Sequence, residues 1–353
     1  MFKLEKVLAQ IKPLKEEAMA QTQARLDDLT KPKGSLGVME QIAKKIAGIT
    51  GQALPAITKK TCILMAGDHG ILKEGFNAYP QEVTAQMVYN FLSGGAAMNV
   101  FSRHVGAELL IVDVGVAADF KDHPLLLRRK VAYGTQNMSK GPAMTVAQTL
   151  KAIETGFEVA RGCLSKGSDL LGIGEMGIGN TAASTALLAV FSGVPVENIT
   201  GRGTGASDAL LKQKIEAIEK ALKINSPVAA KPLEALAKVG GLEIAGLVGV
   251  ILAGATFRVP VVLDGFISGA AALVATALQP YIRGYLLSSH LSDEPGHKKM
   301  LEIIGIKPIL FMNMRLGEGT GAALAMNIIE ASVKILHEMA TFSGAGVDGP
   351  LEK

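Results

Sequence analysis

The sequence predicts an α/β fold built on a mostly parallel sheet with flanking helices, together with a smaller helical part. Five short apolar runs end in glycine or a polar residue, and longer helical patterns separate them. The runs are 61–66, 109–114, 170–173, 260–263 and 308–312. Continuous apolar runs suit strands buried on both faces, and the intervening helices supply crossovers between parallel strands. No fixed repeat period is visible and the strand ends differ, which disfavours a solenoid and an eightfold barrel.

Length and composition indicate a large globular protein. The chain has 353 residues, of which 48% are hydrophobic, enough for a sizeable core. The 36 basic and 32 acidic residues nearly balance, and apart from a short run at 128–130 the basic residues are spread along the chain. This distribution argues against a nucleic-acid partner. Aromatic residues make up only 5%, so a base-stacking platform is not expected.

The cysteines and the apolar runs predict a cytoplasmic protein without a membrane span. Cys62 and Cys163 belong to an apolar run and a helical pattern, which predicts buried thiols in a reducing compartment and no disulfide or zinc site. The amino terminus lacks the apolar core of a signal peptide. The longest apolar run, 244–257, is too short and too rich in glycine to cross a bilayer.

The chain begins with helical patterns alone. An amphipathic helix covers the first thirty residues and is bent or split at Pro13. A proline-glycine turn at 31–37 leads into a second amphipathic helix that ends near Ile49. We interpret this segment as a separate small helical layer, which the far end of the chain can join.

The turn at 314–321 lies between the last apolar run, which has the content of a buried strand, and a helical pattern from Ala323 to Met339. Leu324 and Ile328 begin the apolar stripe of this helix. Ligands bind beyond the carboxyl ends of strands in open α/β sheets, and glycines there allow close approach to the backbone. Glu318 in this turn is a candidate base. Alternatively, it caps the helix and pairs with Arg315.

Two further glycine-rich loops predict a site for a phosphate monoester. In the segment 172–181 a strand leads into a helix whose first N–H groups can bind an anion, although a purely structural turn has the same pattern. It lacks the Gly-Lys-Ser/Thr ending of a nucleotide P-loop. The loop at 201–208 is followed by Lys214, which can neutralise a dianion or can be an ordinary solvated lysine.

Other polar segments indicate structural roles more than catalytic ones. Asp68 and His69 are neighbours in a turn and make a poor metal chelate, so we expect them to shape that turn. Asp264 ends an apolar strand and either ties down neighbouring loops or touches a ligand. The segment 288–297 is interpreted as a polar loop, and without a Gly-x-Ser-x-Gly elbow it implies no catalytic triad.

Taken together, six motifs resemble one enzyme family. They are KPKGSLG at 31–37, AGDHG at 66–70, GEMGIGNT at 174–181, LDGF at 263–266, SH at 289–290 and RLGEGTGAAL at 315–324. In this order they resemble the nicotinate-nucleotide:dimethylbenzimidazole phosphoribosyltransferases of cobalamin biosynthesis. The resemblance runs from about Lys31 to about Met339.

The resemblance implies that nicotinate mononucleotide gives its ribose phosphate to a benzimidazole, yielding α-ribazole 5′-phosphate and nicotinate. It further implies a Rossmann-like large domain at 59–330, a small helical domain formed by 1–58 and 331–353, a homodimer, and neither a cofactor nor a metal. Two small molecules, the nucleotide and the base, are the expected partners.

Matching positions then imply the roles of individual residues. Glu318 corresponds to the general base. The phosphate would be held by Gly177, Ile178, Gly179, Lys214, Ser292 and Arg315. Glu175, Asn180 and Gly203 fall in the nucleotide-binding loops, and Asp264 counts among the substrate-binding residues. Leu316, Tyr79 and Gln86 fall around the base pocket.

One position departs from the family pattern, because Tyr79 stands where some members carry a small polar residue before the proline. Its phenol ring would change the size and hydrogen bonding of the base pocket, so the accepted base stays open. Two other functions also remain open: another phosphosugar-handling α/β enzyme that uses Glu318 for proton abstraction, and a regulatory nucleotide-binding protein.

Overall fold

A seven-stranded parallel sheet organises the chain in the computed structural model, which describes residues 2–203 and 205–348. The strands are β1 Lys60–Gly67, β2 Glu108–Gly115, β3 Leu126–Arg128, β4 Leu170–Met176, β5 Val261–Leu263, β6 Leu286–His290 and β7 Pro308–Leu310. Their order across the sheet is β3-β2-β1-β4-β5-β6-β7, and every neighbouring pair is parallel. The predicted Rossmann-like α/β fold is therefore confirmed.

Helices flank this sheet, and three of them precede its first strand in the chain. They are α1 Leu4–Gln10, α2 Glu16–Asp28, α3 Val38–Thr50, α4 Glu82–Leu92, α5 Ala97–His104, α6 Val146–Leu164, α7 Asn180–Ser192, α8 Asp208–Asn225, α9 Pro232–Val239, α10 Leu242–Thr256, α11 Phe266–Leu278, α12 Gly296–Ile304, α13 Thr320–Glu338 and α14 Phe342–Ala345. Short 3₁₀ turns occupy Gly70–Glu74, Val196–Asn198 and Pro280–Tyr285. Within the described ranges, every helix is too short or too polar to cross a lipid bilayer.

Strand β1 is buried on both faces, as its continuous apolar run predicts. Ile63 and Met65 belong to the core shared with α6, α10 and α11. Cys62 and Leu64, which alternate with them, belong to the opposite core, shared with α4, α5 and α13. Successive side chains of a strand point to opposite faces, so a strand between two helical layers must be apolar throughout.

The chain order reverses at the centre of the sheet, between β1 and β4. From β1 the chain builds outward through β2 to β3, and from β4 it builds in the other direction to β7. A crevice opens at such a switch point beyond the carboxyl ends of the strands. The segments that follow β1, β4, β5 and β6 therefore meet there.

The amino-terminal helices contact the end of the chain. Leu26, Leu29 and Ala43 pack with Leu336 in a small separate core. The Thr30 N–H donates to the Ala340 carbonyl over 3.0 Å. The predicted boundary at 330/331 lies inside the continuous helix α13, and residues 349–353 of the last segment lie outside the described residues. The division into two domains remains a prediction.

Three local predictions were wrong. The first three residues of the segment interpreted as a polar loop, 288–290, belong to the fully buried strand β6, whose Ser289 hydroxyl donates to the Asp264 carbonyl over 3.0 Å. Strand β7, expected to be buried, lies at the sheet edge and is half-buried. In α13 the predicted stripe from Leu324 is half-buried, and the fully buried side includes Met326 and Ile329.

Candidate active site

The carboxyl ends of the strands border one open cavity of about 660 Å³. Most of the predicted site residues line it: Tyr79, Glu175, Gly177, Ile178, Asn180, Gly203, Asp264, Ser292, Arg315, Leu316 and Glu318. Gly179 and Lys214 line a smaller adjoining pocket of about 40 Å³. Gln86 is exposed on α4, where Val83 and Met87 are the residues that face the cavity. The structure therefore does not bring Gln86 into the site.

The turn that carries Glu318 has a left-handed backbone at three successive residues. The φ angles of Gly317, Glu318 and Gly319 are 89°, 65° and 94°. Glycine adopts this conformation freely, whereas a residue with a side chain is strained there by about 1 kcal/mol. The turn lies directly on β4, because a Cβ atom at Gly174 would come within 2.2 Å of the Glu318 carbonyl oxygen.

Asp264 fixes this turn from the neighbouring strand. Its two carboxylate oxygens accept hydrogen bonds from the Gly319 N–H over 3.0 Å and the Gly321 N–H over 2.7 Å. Burial raises the pKa of Asp264 to about 7, against the opposing effect of the backbone N–H donors. Asp264 also lines the cavity. Both predicted roles of this side chain, tying down a loop and facing a ligand, are open to it.

The Glu318 carboxylate is buried at the cavity wall and does not cap its own helix. Helix α13 begins at Thr320, and its N-cap residue is Gly319, which has no side chain that could cap the helix. Glu318 instead accepts, over a long 3.4 Å, from the Met98 N–H in the first turn of α5. Burial raises the pKa of Glu318, the Met98 N–H lowers it, and the Asp264 charge raises it. These contacts disfavour the capping alternative.

Arg315 is directed towards another loop and not towards Glu318. Its Nη1 donates to the Gly203 carbonyl over 3.1 Å. The guanidinium group therefore connects the Glu318 turn with the glycine loop at 201–203, both of which border the cavity.

The turn after β4 is built like the Glu318 turn. Gly179 has a φ of 96° and directly precedes α7, as the left-handed Gly319 precedes α13. A Cβ atom at Gly177 would lie 2.3 Å from the Gly67 carbonyl oxygen, so only glycine fits where the ends of β1 and β4 meet. The Ile178 N–H is not free for a ligand, since it donates to the Thr84 hydroxyl over 3.1 Å.

Lys214 is a buried cation at the smaller pocket, so the interpretation as a solvated helix lysine was wrong. Its side chain is only 3% exposed. The ammonium group donates to the Thr181 hydroxyl and to the Gly201 carbonyl, each over 2.9 Å. Burial lowers the pKa of Lys214 to about 8, and the charge of Glu294 opposes that shift.

Glu175 at the end of β4 is another buried carboxyl group of the site. Burial raises its pKa well above the ordinary value, and the charges of Asp264 and Glu243 add to the effect. The Asn180 side-chain amide donates to Glu175 Oε2. A carboxyl group in this environment favours its neutral form.

Several residues of the site were not predicted from the sequence. Val83 and Met87, one helical turn apart on α4, line the cavity with apolar side chains, as Tyr79 and Leu316 also do. Their spacing of four is the signal that could have identified them. His290 and Glu294 also line the cavity.

His69, which follows β1, packs against the glycine turn at 177–179. Its Nε2 lies 2.7 Å from Glu243 Oε1, and both side chains are buried. A Cβ atom at Gly179 would lie 3.3 Å from the Cβ of His69, so this turn packs directly under the glycine loop. Asp68 accepts from the Ala117 N–H over 2.8 Å. These contacts fit the expected structural role of Asp68 and His69.

Comparison with known proteins shows a close relationship along nearly the whole chain. A family model described as Phosphoribosyltransferase matches residues 11–347. The nicotinate-nucleotide–dimethylbenzimidazole phosphoribosyltransferase of Geobacter metallireducens is 54% identical over 345 residues, which cover 98% of each chain. Its namesake in Chlorobaculum tepidum is 53% identical over 347 residues, again 98% of each chain. The crystal structure of the Thermus thermophilus protein of that name is 44% identical, with a TM-score of 0.90 over 95% of this chain and 99% of that one.

Proposed function

This chain belongs to the nicotinate-nucleotide–dimethylbenzimidazole phosphoribosyltransferase family, and we propose that Glu318 is the general base of its reaction. The enzyme transfers the phosphoribosyl group of nicotinate mononucleotide to dimethylbenzimidazole, a step of cobalamin biosynthesis. The products are α-ribazole 5′-phosphate and nicotinate. The observation that carries the proposal is the Glu318 carboxylate itself, buried at the cavity wall in a strained backbone and not used as a helix cap.

The reaction requires one strong base and no general acid. The pyridine nitrogen of nicotinate mononucleotide is quaternary and positively charged. When its bond to C1′ breaks, the electron pair goes to that nitrogen, and the pyridine ring leaves without needing a proton. The benzimidazole attacks C1′ with one nitrogen and must lose the proton from the other. Glu318 accepts that proton, and its raised pKa brings it nearer to the pH at which a base is most effective.

Stereochemistry follows from where the base attacks. Attack from the face opposite the departing nicotinate inverts the configuration at C1′ from β to α. Positive charge develops on the ribose in an oxocarbenium-like transition state, as in other glycosyl transfers. A fixed carboxylate near C1′ stabilises that charge while it takes up the proton. The rigid turn on Gly174 and Asp264 supports this role because it holds Glu318 in place.

The adjoining small pocket is proposed to hold the 5′-phosphate. The glycine turn at 177–179, Gly203 and the buried Lys214 line it, and Arg315 donates to the Gly203 carbonyl. Backbone N–H groups before a helix and two cations suit a dianion. The Ile178 N–H donates to the Thr84 hydroxyl. Either this hydrogen bond is exchanged for one to the phosphate, or the residues beside Ile178 hold the phosphate.

The apolar part of the wall is proposed to hold the benzimidazole. Val83, Met87, Leu316 and the Tyr79 ring form it. Tyr79 is 49% exposed and Leu316 57% exposed, so both lie at the mouth of the cavity, where an incoming base would cover them.

A homodimer is also proposed, because large apolar side chains are exposed to solvent at one edge of the sheet. Phe311 is 73% exposed and Met312 50% exposed, directly after the edge strand β7. A second copy of the chain would cover them. Light scattering should give twice the mass of one chain, and the Phe311→Asp variant should shift towards the monomer. A monomeric parent protein would contradict this proposal.

A cytoplasmic location is proposed as well. Both Cys62 and Cys163 are buried free thiols, which suits a reducing compartment. Cell fractionation with an antibody against the chain would test it.

Product analysis tests the reaction with this chain. The protein is incubated with nicotinate mononucleotide, with and without dimethylbenzimidazole, and nicotinate release is followed by chromatography. Release that depends on the base, together with an α-configured product in the NMR spectrum, is expected. Release of nicotinate at the same rate without the base would indicate a hydrolase and contradict the assignment of Glu318 as the base for transfer.

A further inference from the structure

Glu294 is a buried carboxylate beside the proposed phosphate pocket that the reaction described above does not use. It lies just before α12 and is 7% exposed. Its Oε1 accepts from the Gly203 N–H over 3.1 Å. Its Oε2 is buried and has no hydrogen-bond partner within the described part of the chain. A buried oxygen without a hydrogen bond destabilises the fold, so its presence calls for an explanation.

The surroundings of Glu294 are those expected of a bound anion. A Cβ atom at Gly201 would lie 1.8 Å from Glu294 Oε2, so the carboxylate packs directly on the glycine loop. Burial raises the pKa of Glu294, while the Lys214 charge, the Gly203 N–H and the Arg315 charge lower it. The same two cations also hold the loop, since Lys214 donates to the Gly201 carbonyl and Arg315 to the Gly203 carbonyl.

We infer that Glu294 is a specificity-determining residue, which satisfies the Gly203 N–H and faces Lys214 and Arg315 while the site is empty. It releases these groups to the 5′-phosphate when the nucleotide binds. This inference rests on the proposed phosphate pocket. A carboxylate and a phosphate offer the same kind of acceptor oxygens, and one N–H group cannot donate fully to both.

The consequence is discrimination against small anions. In a buried site the charge of Glu294 repels an incoming phosphate much more strongly than it would in water. Free inorganic phosphate can offset this repulsion only through its attraction to Lys214 and Arg315 and through the hydrogen bonds that its oxygens accept. Nicotinate mononucleotide also gains contacts through its ribose and its ring. Glu294 thereby keeps inorganic phosphate from filling the pocket.

A purely structural role predicts a different result. If Glu294 only holds the Gly203 loop, then Glu294→Gln should leave phosphate binding unchanged, because glutamine has the same size and keeps an oxygen to accept from Gly203. If the charge matters, the same variant should bind inorganic phosphate at least about fivefold more tightly. The exposed neighbour Asp293 provides a matched control, since Asp293→Asn removes the same charge outside the cavity.

The experiment is calorimetric titration of the full-length protein with inorganic phosphate, and separately with nicotinate mononucleotide. Glu294→Gln should tighten phosphate binding, whereas Glu294→Asp, which keeps the charge, should not. If Glu294→Gln does not fold, Glu294→Ala, with the same loss of charge, takes its place. Unchanged or weaker phosphate binding by the neutral variant would overturn the inference.

Lys214→Ala separates this inference from the proposal on which it rests. If Lys214→Ala weakens phosphate binding while Glu294→Gln leaves it unchanged, the pocket is correct and only the role of Glu294 is wrong. If Lys214→Ala binds phosphate and nucleotide as the parent does, the phosphate pocket itself is wrong and the inference fails with it.

Discussion

Replacing Glu318 with glutamine removes the proposed base and changes little else. Glutamine has nearly the same size and adopts the left-handed backbone with similar strain. The hydrogen bond that the Glu318 carboxylate accepts from the Met98 N–H is long at 3.4 Å, and a glutamine oxygen can still accept it. The site retains Asp264, which holds the turn through Gly319 and Gly321. The variant should therefore keep the fold and the shape of the cavity.

Loss of a general base typically reduces the rate by ~10²–10⁴. We expect kcat to fall by that factor, while the KM for nicotinate mononucleotide changes by no more than about threefold, because the phosphate pocket is untouched. Stability should change by about 1 kcal/mol or less, since the long hydrogen bond contributes little and the neutral side chain no longer needs to bury a charge.

The pH profile provides an independent measure. Burial raises the pKa of Glu318, and the base must be deprotonated to act, so the activity of the parent should decline as the pH falls through that raised pKa. This limb should lie above the ordinary range of a glutamate, about 4.3. In Glu318→Gln the residual activity should lack the limb.

The assay is initial-rate nicotinate release per folded molecule, with thermal unfolding of the same preparation in parallel. Glu82→Gln is the matched control. Glu82 is exposed on α4, the helix that borders the proposed base pocket, but its own side chain does not line the cavity. A Glu318→Gln variant with kcat within tenfold of the parent, or with the acid limb unchanged, would remove Glu318 from the proposed mechanism.

Three further substitutions test the surrounding structure. Lys214→Ala should raise the KM for nicotinate mononucleotide by about tenfold or more and leave the KM for the base unchanged, whereas Lys212→Ala on the exposed side of α8 should change neither; equal KM values in both variants would refute the phosphate assignment. Gly174→Ala should displace the Glu318 turn, lowering kcat and destabilising the fold by ~1–3 kcal/mol, because its Cβ atom would lie 2.2 Å from a backbone oxygen. Gly172→Ala meets mainly the flexible end of Met326 at 2.7 Å and should cost less, and equal effects in enzyme assays and thermal unfolding would contradict this reasoning. Tyr79→Ser should lower kcat/KM for dimethylbenzimidazole relative to a smaller benzimidazole by about tenfold, measured in competition, and an unchanged ratio would place Tyr79 outside the base pocket.

The parallel sheet could be predicted because its central strands are buried on both faces. The runs at 61–66 and 170–173 have no polar alternation, and only a strand between two helical layers permits that. The glycine turns before α7 and α13 were equally predictable, since both place a left-handed glycine before a helix.

Strand β6 could not be predicted because its buried Ser289 finds a partner far away in sequence. Ser289 donates to the carbonyl of Asp264, and sequence alone does not show that a hydroxyl will be satisfied inside the protein. Lys214 was undecided for the same reason, since its partners Thr181 and Gly201 come from other segments.

The face of α13 was misjudged by one residue. The buried stripe was predicted from large aliphatic side chains such as Leu324. The side of this helix that faces the core instead consists partly of small residues, including Ala322 and Ala325. A helix packed closely on a sheet needs small side chains at the contact, which hydrophobicity alone does not reveal. On α4, Gln86 was expected at the base pocket from the resemblance alone, and its neighbour Met87 is the residue that lines the cavity.

The left-handed backbone at Glu318 sets catalysis and durability against each other. A glycine at position 318 would relieve the strain of a φ of 65° by about 1 kcal/mol and would also remove a buried carboxylate. Such a chain should survive heating better than the parent and should not transfer the phosphoribosyl group. Directed evolution of this protein for heat resistance, without a concurrent assay for nicotinate release, would therefore favour loss of the proposed catalytic base.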